Sequence, residues 1–342
     1  MRYLINNSTD PYFNMALDEF CLENFVIGEP YFYLWRNRPS VIIGLNQNAY
    51  SEVNLKYLED HGIFLVRRVT GGGAVYHDLQ NLNYTIVSPI CHPDSCHPDS
   101  CHPEHSEGSA DHAEGSTPAP IVSALRTLGV PAEITGRNDI FVEGRKVSGY
   151  ARRVSKRQEI IHGTLMYDVD LDTLTKALDV PGSKLQAKGI ESVKSRVANL
   201  KDYLPGYKSL DEVQAALRSL LAGDDDAMEL TDDQLAEVRR MADEKFSSWD
   251  FIYGRSRETG LIRSAVLPCG TVGVEVCLDH GLITSIHFSG DFLFGESVQD
   301  LSSMLTGLRY DRSSIHECLE KAGVSRFFPG ATSEEVLNLI IS

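Results

Sequence analysis

The sequence has no apolar run approaching the roughly 18 residues that a membrane-spanning helix requires. Its start, MRYLINNSTDPYF, lacks the basic cluster and following apolar stretch of a secretory leader, so a cytoplasmic protein without a membrane is the expectation. Positive charge is also short: 32 Lys and Arg stand against 48 Asp and Glu, a formal net charge of −16. That excludes a surface built as a whole to hold nucleic acid. Of the seven cysteines, Cys91, Cys96 and Cys101 belong to one repeat, so a disulfide framework is not expected. What is there is 42% apolar content over 342 residues, enough for a core in each of two domains at about 150 residues apiece.

Asp10-Pro11 followed by Phe13, Ala16, Leu17, Phe20 and Cys21 at helical spacing predicts a capped helix of about three turns. YFYLW (31–35) and SVIIG (40–44) read as strands, and the short Asn37-Arg38-Pro39 link predicts a hairpin between them. IFLV (63–66) reads as a buried strand, YTIVS (84–88) as another and IVSALRTLG (121–129) as a helix. Between these last two, residues 89–119 carry a CHPDS repeat, recurrent proline and almost nothing able to enter a core, the composition of a disordered insertion. Its Cys-His pairs invite a metal reading, but a loose period of five supplies no second ligand pair fixed on a folded element. Order returns with strand-like EGRKVSGYA (143–151) and HGTLMYDVDL (162–171). After a polar stretch near 223–233 and a turn-rich link at 255–260, strands GTVGVEVCLD and LITSIHFSG and two helical segments restart the pattern. The expected division is 1–248 and 254–342.

The segment from Arg67 to Asp78 is the most informative. Three consecutive glycines after a buried strand allow close approach of backbone to a ligand and turn N–H groups into a concavity suited to phosphate. Arg67 and Arg68 strengthen the anion reading. Neither a Walker loop nor a dinucleotide fingerprint is present, and a plain hairpin turn accounts for three glycines equally well. Lys146, in an alternating strand, would ordinarily point to solvent. The small Ser148-Gly149 pair after it admits a ligand, so a lysine reaching into a groove is the competing reading. Residues 136–201 hold 13 Lys and Arg against 8 Asp and Glu, a net of +5 that leaves −21 for the rest, as expected where a polyanion such as ATP is handled.

The strings RRVTGGGAVYHDLQNLNYT, GRNDIFVEGRKVSGYARR, HGTLMYDVDLDTL and AKGIESVKSRVANL, with NMALDE (14–19) and WRNRPSVIIGLNQN (35–48), resemble the motifs of lipoate–protein ligases in order and spacing. The resemblance implies an α/β fold of the α+β type: a biotin/lipoate-ligase-like catalytic domain with mixed sheets and flanking helices, plus a small α/β accessory domain. It implies ATP, Mg2+ and (R)-lipoate, with lipoate activated to lipoyl-AMP and passed to a lysine of apo lipoyl-carrier domains. Those carriers are the 2-oxoacid dehydrogenase E2 subunits and the glycine cleavage H protein, served by a monomer. By the same matching, Lys146 is the catalytic lysine, and Arg68, Gly71, Gly72, Gly73, Ala74, Val75, Tyr76, Asn83 and Asn138 surround the nucleotide and adenylate. Asp139 is the candidate for Mg2+ or its waters. Trp35, Ile43, His162 and Gly163 are assigned to the lipoate pocket, although a core histidine satisfied by backbone explains His162 as well.

An octanoyl or lipoyl transferase of the same fold is the alternative, and a lipoate-binding homologue without catalysis is another. The transferase chemistry needs a thiolate at the pocket. No cysteine occurs between positions 102 and 268, whereas the resembling transferases carry theirs near the stretch occupied here by Ile134–Ile140. Lys146, whose loss would mark the inactive homologue, is present.

Overall fold

The computed structural model describes residues 1–90, 117–136, 138–178, 196–222, 227–254, 256, 259–292 and 296–341. The CHPDS repeat at 91–116, Arg137 and positions 187–195 of the AKGIESVKSRVANL string lie outside them.

The chain runs β1 (Arg2–Leu4), α1 (Pro11–Glu23), β2 (Tyr31–Trp35), β3 (Ser40–Ile43), α2 (Ala49–Glu52), α3 (Leu55–Asp60), β4 (Phe64–Arg67), β5 (Val75–His77) and β6 (Asn81–Pro89). Then come α4 (Ala119–Thr127), β7 (Ala132–Thr135), β8 (Asp139–Val142), β9 (Arg145–Val154), β10 (Gln158–Met166), α5 (Leu171–Ala177), α6 (Leu210–Leu221), β11 (Ala227–Met228), α7 (Asp232–Met241) and α8 (Trp249–Ile252). The last stretch holds β12 (Thr259–Leu267), β13 (Gly270–Asp279), β14 (Leu282–Phe292), α9 (Val298–Leu305), α10 (Arg312–Ala322) and α11 (Ser333–Ile341). As expected, this is an α/β protein with mixed sheets. Among the described residues no helix is long and apolar enough to cross a membrane, and Cys21, Cys269, Cys277 and Cys318 are free.

The main sheet has the order β11-β1-β2-β6-β10-β9-β8-β7. Alternation along its strands sends Phe32, Leu34, Leu82, Ile86 and Ile161 to one face, where they pack with Ile121 and Leu125 of α4 and Val213 and Leu217 of α6. Tyr33, Trp35, Val87 and Ile160 go to the other, against Phe13, Ala16, Leu17 and Phe20 of α1. The Asp10 carboxylate caps α1 by accepting from the Tyr12 and Phe13 N–H groups, with Pro11 at the first position, where its missing N–H costs nothing.

The hairpin expected between β2 and β3 does not form. β2 pairs with β1 and β6 in the main sheet, whereas β3 is the centre of a second sheet ordered β4-β3-β5. Both strands are buried along their whole length, so each needs partners on both edges and cannot satisfy them by pairing with the other alone. The strand at 158–166 likewise stops at Met166, and the helix after it starts at Leu171.

The last part of the chain forms an antiparallel β12-β13-β14 sheet. It closes a core of Val272, Val274, Val276 and Ile286 against Leu301, Leu319, Phe328 and Leu337 of the following helices and turn. Tyr50 joins this core from the first part of the chain, with its ring 5.1 Å from Tyr310 and 5.6 Å from Tyr253.

Candidate active site

The α1 face of the main sheet and one face of the small sheet enclose a cleft of about 600 Å³, counting its open mouth, lined by 18 of the described residues. The ladder fixes its floor. Trp35, Asn83 and Thr164 stand in one cross-strand row, and Tyr33, Thr85, His162 and Ala151 in the next row on the same face. The small sheet supplies the opposite wall, where Ile42 lies across from Val75 and Ser40 across from His77.

The triple glycine is not a hairpin turn. β4 and β5 flank β3 on opposite sides, so residues 68–74 cross over the end of β3. The crossing is tight: a Cβ on Gly44 would lie 2.2 Å from the Gly72 carbonyl oxygen, and Gly72 itself has φ +96°. Arg68 holds the loop from inside. Its Nε donates to Thr70 Oγ1 and the Gly71 carbonyl, its Nη2 to the Gly71 and Gly73 carbonyls, and its Nη1 to the Ile42 carbonyl. Burial lowers its pKa to about 10, which leaves it protonated at neutral pH. Arg67 serves backbone instead: its wholly buried guanidinium donates to the carbonyls of Gly44, Leu45 and Gln47 and of Phe251 and Ile252 in α8. It adds a clasp between segments rather than a second anion contact.

A hydrogen-bonded chain runs beneath the cleft. Trp35 Nε1 donates to Thr85 Oγ1 at 2.9 Å, and Thr85 Oγ1 to Asp18 Oδ1 at 3.0 Å. Tyr33 also donates to Asp18 Oδ1, while Asp18 Oδ2 lies 2.5 Å from His162 Nδ1. His162 Nε2 is 2.7 Å from Thr70 Oγ1. An arginine Nε–H can only donate, so the Thr70 hydroxyl accepts from Arg68 and keeps its own hydrogen for His162. His162 is thus bonded to side chains, not to backbone.

At the other end Lys146 Nζ sits 2.7 Å from Asp139 Oδ1, with side chains 36% and 27% exposed. The backbone of Lys146 is pinned by Arg196–Ala198, which bond it from both sides at 2.8 and 2.9 Å. That gives the described end of the fourth motif a physical role. Asn138 clamps the same corner by exchanging bonds with the Tyr150 backbone. Among the described residues of 136–201, Lys146 is the lysine or arginine that lines the cleft; Arg145 reaches Tyr203, Arg152 reaches Glu159 and Lys201 reaches Asp168.

Trp35, Arg68, Gly72, Gly73, Ala74, Val75, Asn83, Asn138, Lys146, His162 and Gly163 therefore come together. Four residues singled out from the sequence do not line the cleft; one is Asp139, which meets it through Lys146. Ile43 and Tyr76 pack on the far face of the small sheet with Val41 and Leu65, because strand alternation gives the cleft Ile42, Val75 and His77 instead. Gly71 shapes the loop from outside. Met15, Ile42, His77, Gly149, Tyr150, Ala151 and Thr164 are lining residues that the sequence did not assign.

A cleft with apolar lining, a lysine at its mouth and an arginine-organised glycine loop along one wall suits an elongated acyl group with an anionic head. The chain belongs to the lipoyl protein ligase family. Residues 10–222 match the model of the lipoyl protein ligase A/B catalytic domain, and 256–340 that of the bacterial lipoate protein ligase C-terminus. Lipoate-protein ligases of Bacillus subtilis and Staphylococcus aureus are each 35% identical, covering 98% and 99% of this chain and 98% and 100% of their own lengths. Among solved structures, the bipartite lipoate protein ligase of Thermoplasma acidophilum, studied with its E2 lipoyl domain, has a TM-score of 0.61 at 30% identity, covering 75% of this chain and 98% of that one. A ligase from the same organism with bound lipoic acid gives a TM-score of 0.57 at 28% identity, and a lipoate-protein ligase A bound with ATP gives 0.58 at 28%; each covers 74% of this chain and 98% of that one. The chain is thus an enzyme of the lipoate–protein ligase class.

Proposed function

We propose that this enzyme activates lipoate with ATP inside the cleft and transfers the lipoyl group to a lysine of an apo lipoyl domain, with Lys146 as its catalytic residue. A free carboxylate is a poor acyl donor. Its oxygen attacks the α-phosphorus of ATP, the bond to the β-phosphate oxygen breaks, and pyrophosphate leaves. The resulting mixed anhydride is then opened by the carrier amine, which loses a proton as AMP departs with the bonding pair. Negative charge grows on α-phosphate oxygens in the first step and on the carbonyl oxygen in the second. Lys146 is suited to both because it stands at the mouth on a strand pinned by Arg196–Ala198. The cleft's apolar residues, Met15, Trp35 and Ile42, would cover the acyl chain, and the loop held by Arg68 would face the phosphates.

The carriers we assign are E2 lipoyl domains and the glycine cleavage H protein, the enzyme acting as a monomer in the cytoplasm with 1–248 as its catalytic unit and 254–342 as accessory domain. The donor set suits magnesium arriving with the nucleotide. Asp139 is a single carboxylate at the mouth, no group of three or more acidic, His or Cys residues occurs among the described residues, and Mg2+ favours one or two carboxylates with phosphates and waters. When bound, it would neutralise phosphate charge.

The observation that carries this reading is the meeting of Lys146, the Arg68-held glycine loop and an apolar slot in one cleft. Its test is incubation with ATP, magnesium and lipoate, with pyrophosphate measured, followed by mass spectrometry of an added apo lipoyl domain. Pyrophosphate release and one lipoyl mass on one lysine are expected. A folded protein that binds lipoate yet forms no adenylate would overturn it.

A further inference from the structure

His77 lies in the RRVTGGGAVYHDLQNLNYT string but has no part in the mechanism above, and its surroundings determine its protonation pattern. A chain of amides leads to it from backbone groups that can act in one way only. The Ser8 N–H donates to Asn6 Oδ1, so Asn6 turns its Nδ2 outward, and that group donates to Asn14 Oδ1 at 2.9 Å. Asn14 Nδ2 in turn donates to the Ser8 and Arg36 carbonyls and to Asn37 Oδ1 at 2.8 Å. Carbonyl oxygens only accept, so the orientation of Asn14 is fixed from both sides. Asn37 is left with its Nδ2 facing His77 Nδ1 at 3.1 Å. An amide nitrogen donates, so Nδ1 is the acceptor and the ring hydrogen is on Nε2.

That Nε2–H has no hydrogen-bond partner among the described residues, although His77 is 3% exposed. A buried donor without an acceptor costs free energy unless a ligand supplies one. The ring lines the cleft and packs edge-on to Trp35 at 5.9 Å. Trp35 shares its row with Asn83 and Thr164, and Thr164 Oγ1 accepts from the Gly149 N–H beside the Lys146 corner. His77 therefore lines the cleft beside Trp35, on the wall that carries Arg68 and the glycine loop. Burial first, then the Arg68 charge and the neighbouring His162 ring, hold its pKa down to about 3, so the ring stays neutral throughout the working range.

We propose that His77 offers a neutral Nε2–H donor to a carboxylate oxygen of the acyl substrate, its tautomer set by the Asn6–Asn14–Asn37 chain. This rests on the ligase reading for the identity of the carboxylate. A neutral donor suits that place: it orients the carboxylate and leaves it nucleophilic, whereas another cation beside Arg68 and Lys146 would reduce its attack on phosphorus.

The test has three arms. Long-range 1H–15N correlation on histidine-labelled, ligand-free enzyme reads the tautomer directly; Nε2–H is expected, and Nδ1–H would overturn the proposal. Calorimetric binding of (R)-lipoate without ATP, and of ATP without lipoate, is then measured for wild type, H77F and H77Q. H77F should weaken lipoate binding about tenfold or more, while H77Q, whose amide nitrogen reaches the Nε2 position, should stay within about threefold of wild type. ATP binding should not change. Equal lipoate binding by H77F, or a loss confined to ATP, would overturn the proposal; H77M replaces H77F if the latter does not fold. A wild type that makes no lipoyl-AMP removes the ligase reading. A wild type that makes it, alongside an H77F that binds lipoate unimpaired, removes this inference alone.

Discussion

The two ends of the cleft are built on opposite principles. Beneath the floor, Asp18 is 1% exposed and accepts from Tyr33, Thr85 and His162, and the chain continues through Thr70 to Arg68, so each of these polar groups has a fixed partner. At the mouth, Lys146 has one acidic neighbour among the described residues and a third of its side chain in water. A saturated buried network has few alternative arrangements, which makes it a rigid mould for a substrate's tail. A half-exposed ion pair is worth little and is easily exchanged, which lets an arriving anion take the lysine over. Mutations at the floor should act on stability, and mutations at the mouth on activity.

The largest effect is expected at Asp18. Asp18→Ala leaves the Tyr33 hydroxyl, the Thr85 hydroxyl and the His162 Nδ1–H without their acceptor inside the protein. Three buried donors left unsatisfied, at about 1–3 kcal/mol each, should together cost about 3 kcal/mol or more of unfolding free energy, read by urea denaturation. A loss below about 1 kcal/mol, the ordinary value for one hydrogen bond, would show that the floor is not rigid. Lys146→Ala is the counterpart. It should lower the adenylation rate by about 10²–10³, the usual effect of removing one transition-state donor. Unfolding free energy should shift by no more than about 0.5 kcal/mol. Rapid-quench measurement of lipoyl-AMP checks the first figure, and retained activity would remove Lys146 from the mechanism.

His77 sharpens the boundary between the ends, since it lines the cleft beside Trp35 yet is as buried as the floor. Its pKa is held near 3 when folded, against 6.5 for an unperturbed histidine. Between those values the unfolded chain binds a proton that the folded one does not, so stability falls as pH drops below about 6.5 and stops falling for this reason near pH 3. The contribution is about 1.4 kcal/mol per pH unit for one proton. Wild type minus H77Q, followed by urea unfolding at several pH values between about 6 and 4, should show that slope; parallel curves would mean that His77 is protonated in the folded enzyme.

Much of this contrast is legible in the sequence. The motif strings point to Lys146, Arg68 and the glycine loop, and short apolar runs place several of the strands. What escapes is parity and partnership. Matching to the motif strings gives Ile43, whereas the pairing of β3 with β5 in a second sheet turns Ile42 to the cleft. Asp18 lies in the NMALDE string without a role, since a carboxylate on a helix ordinarily reads as a solvated face; the three donors that bury it come from β2, β6 and β10, far away in sequence. Basic residues in 136–201 suggest a charged site, but several of the described ones have acidic or aromatic partners away from the cleft. Composition counts charges and not their neighbours.

The smallest effect belongs to Asp139, and its sign is the informative part. Asp139→Asn removes the negative neighbour from Lys146 and leaves a side chain of the same shape. With both side chains partly in water, the pair should contribute about 0.2–1 kcal/mol, so stability should hardly move. If the substrate carboxylate must displace Asp139 from Lys146, the variant should bind lipoate more tightly in the absence of ATP, by up to about fivefold, the binding equivalent of that energy. The gain should shrink as salt is raised from low to several hundred millimolar, because partly exposed charges are screened. Weaker binding by the variant would give Asp139 the opposite role, a post that holds Lys146 in place, and the mouth would then be as fixed as the floor.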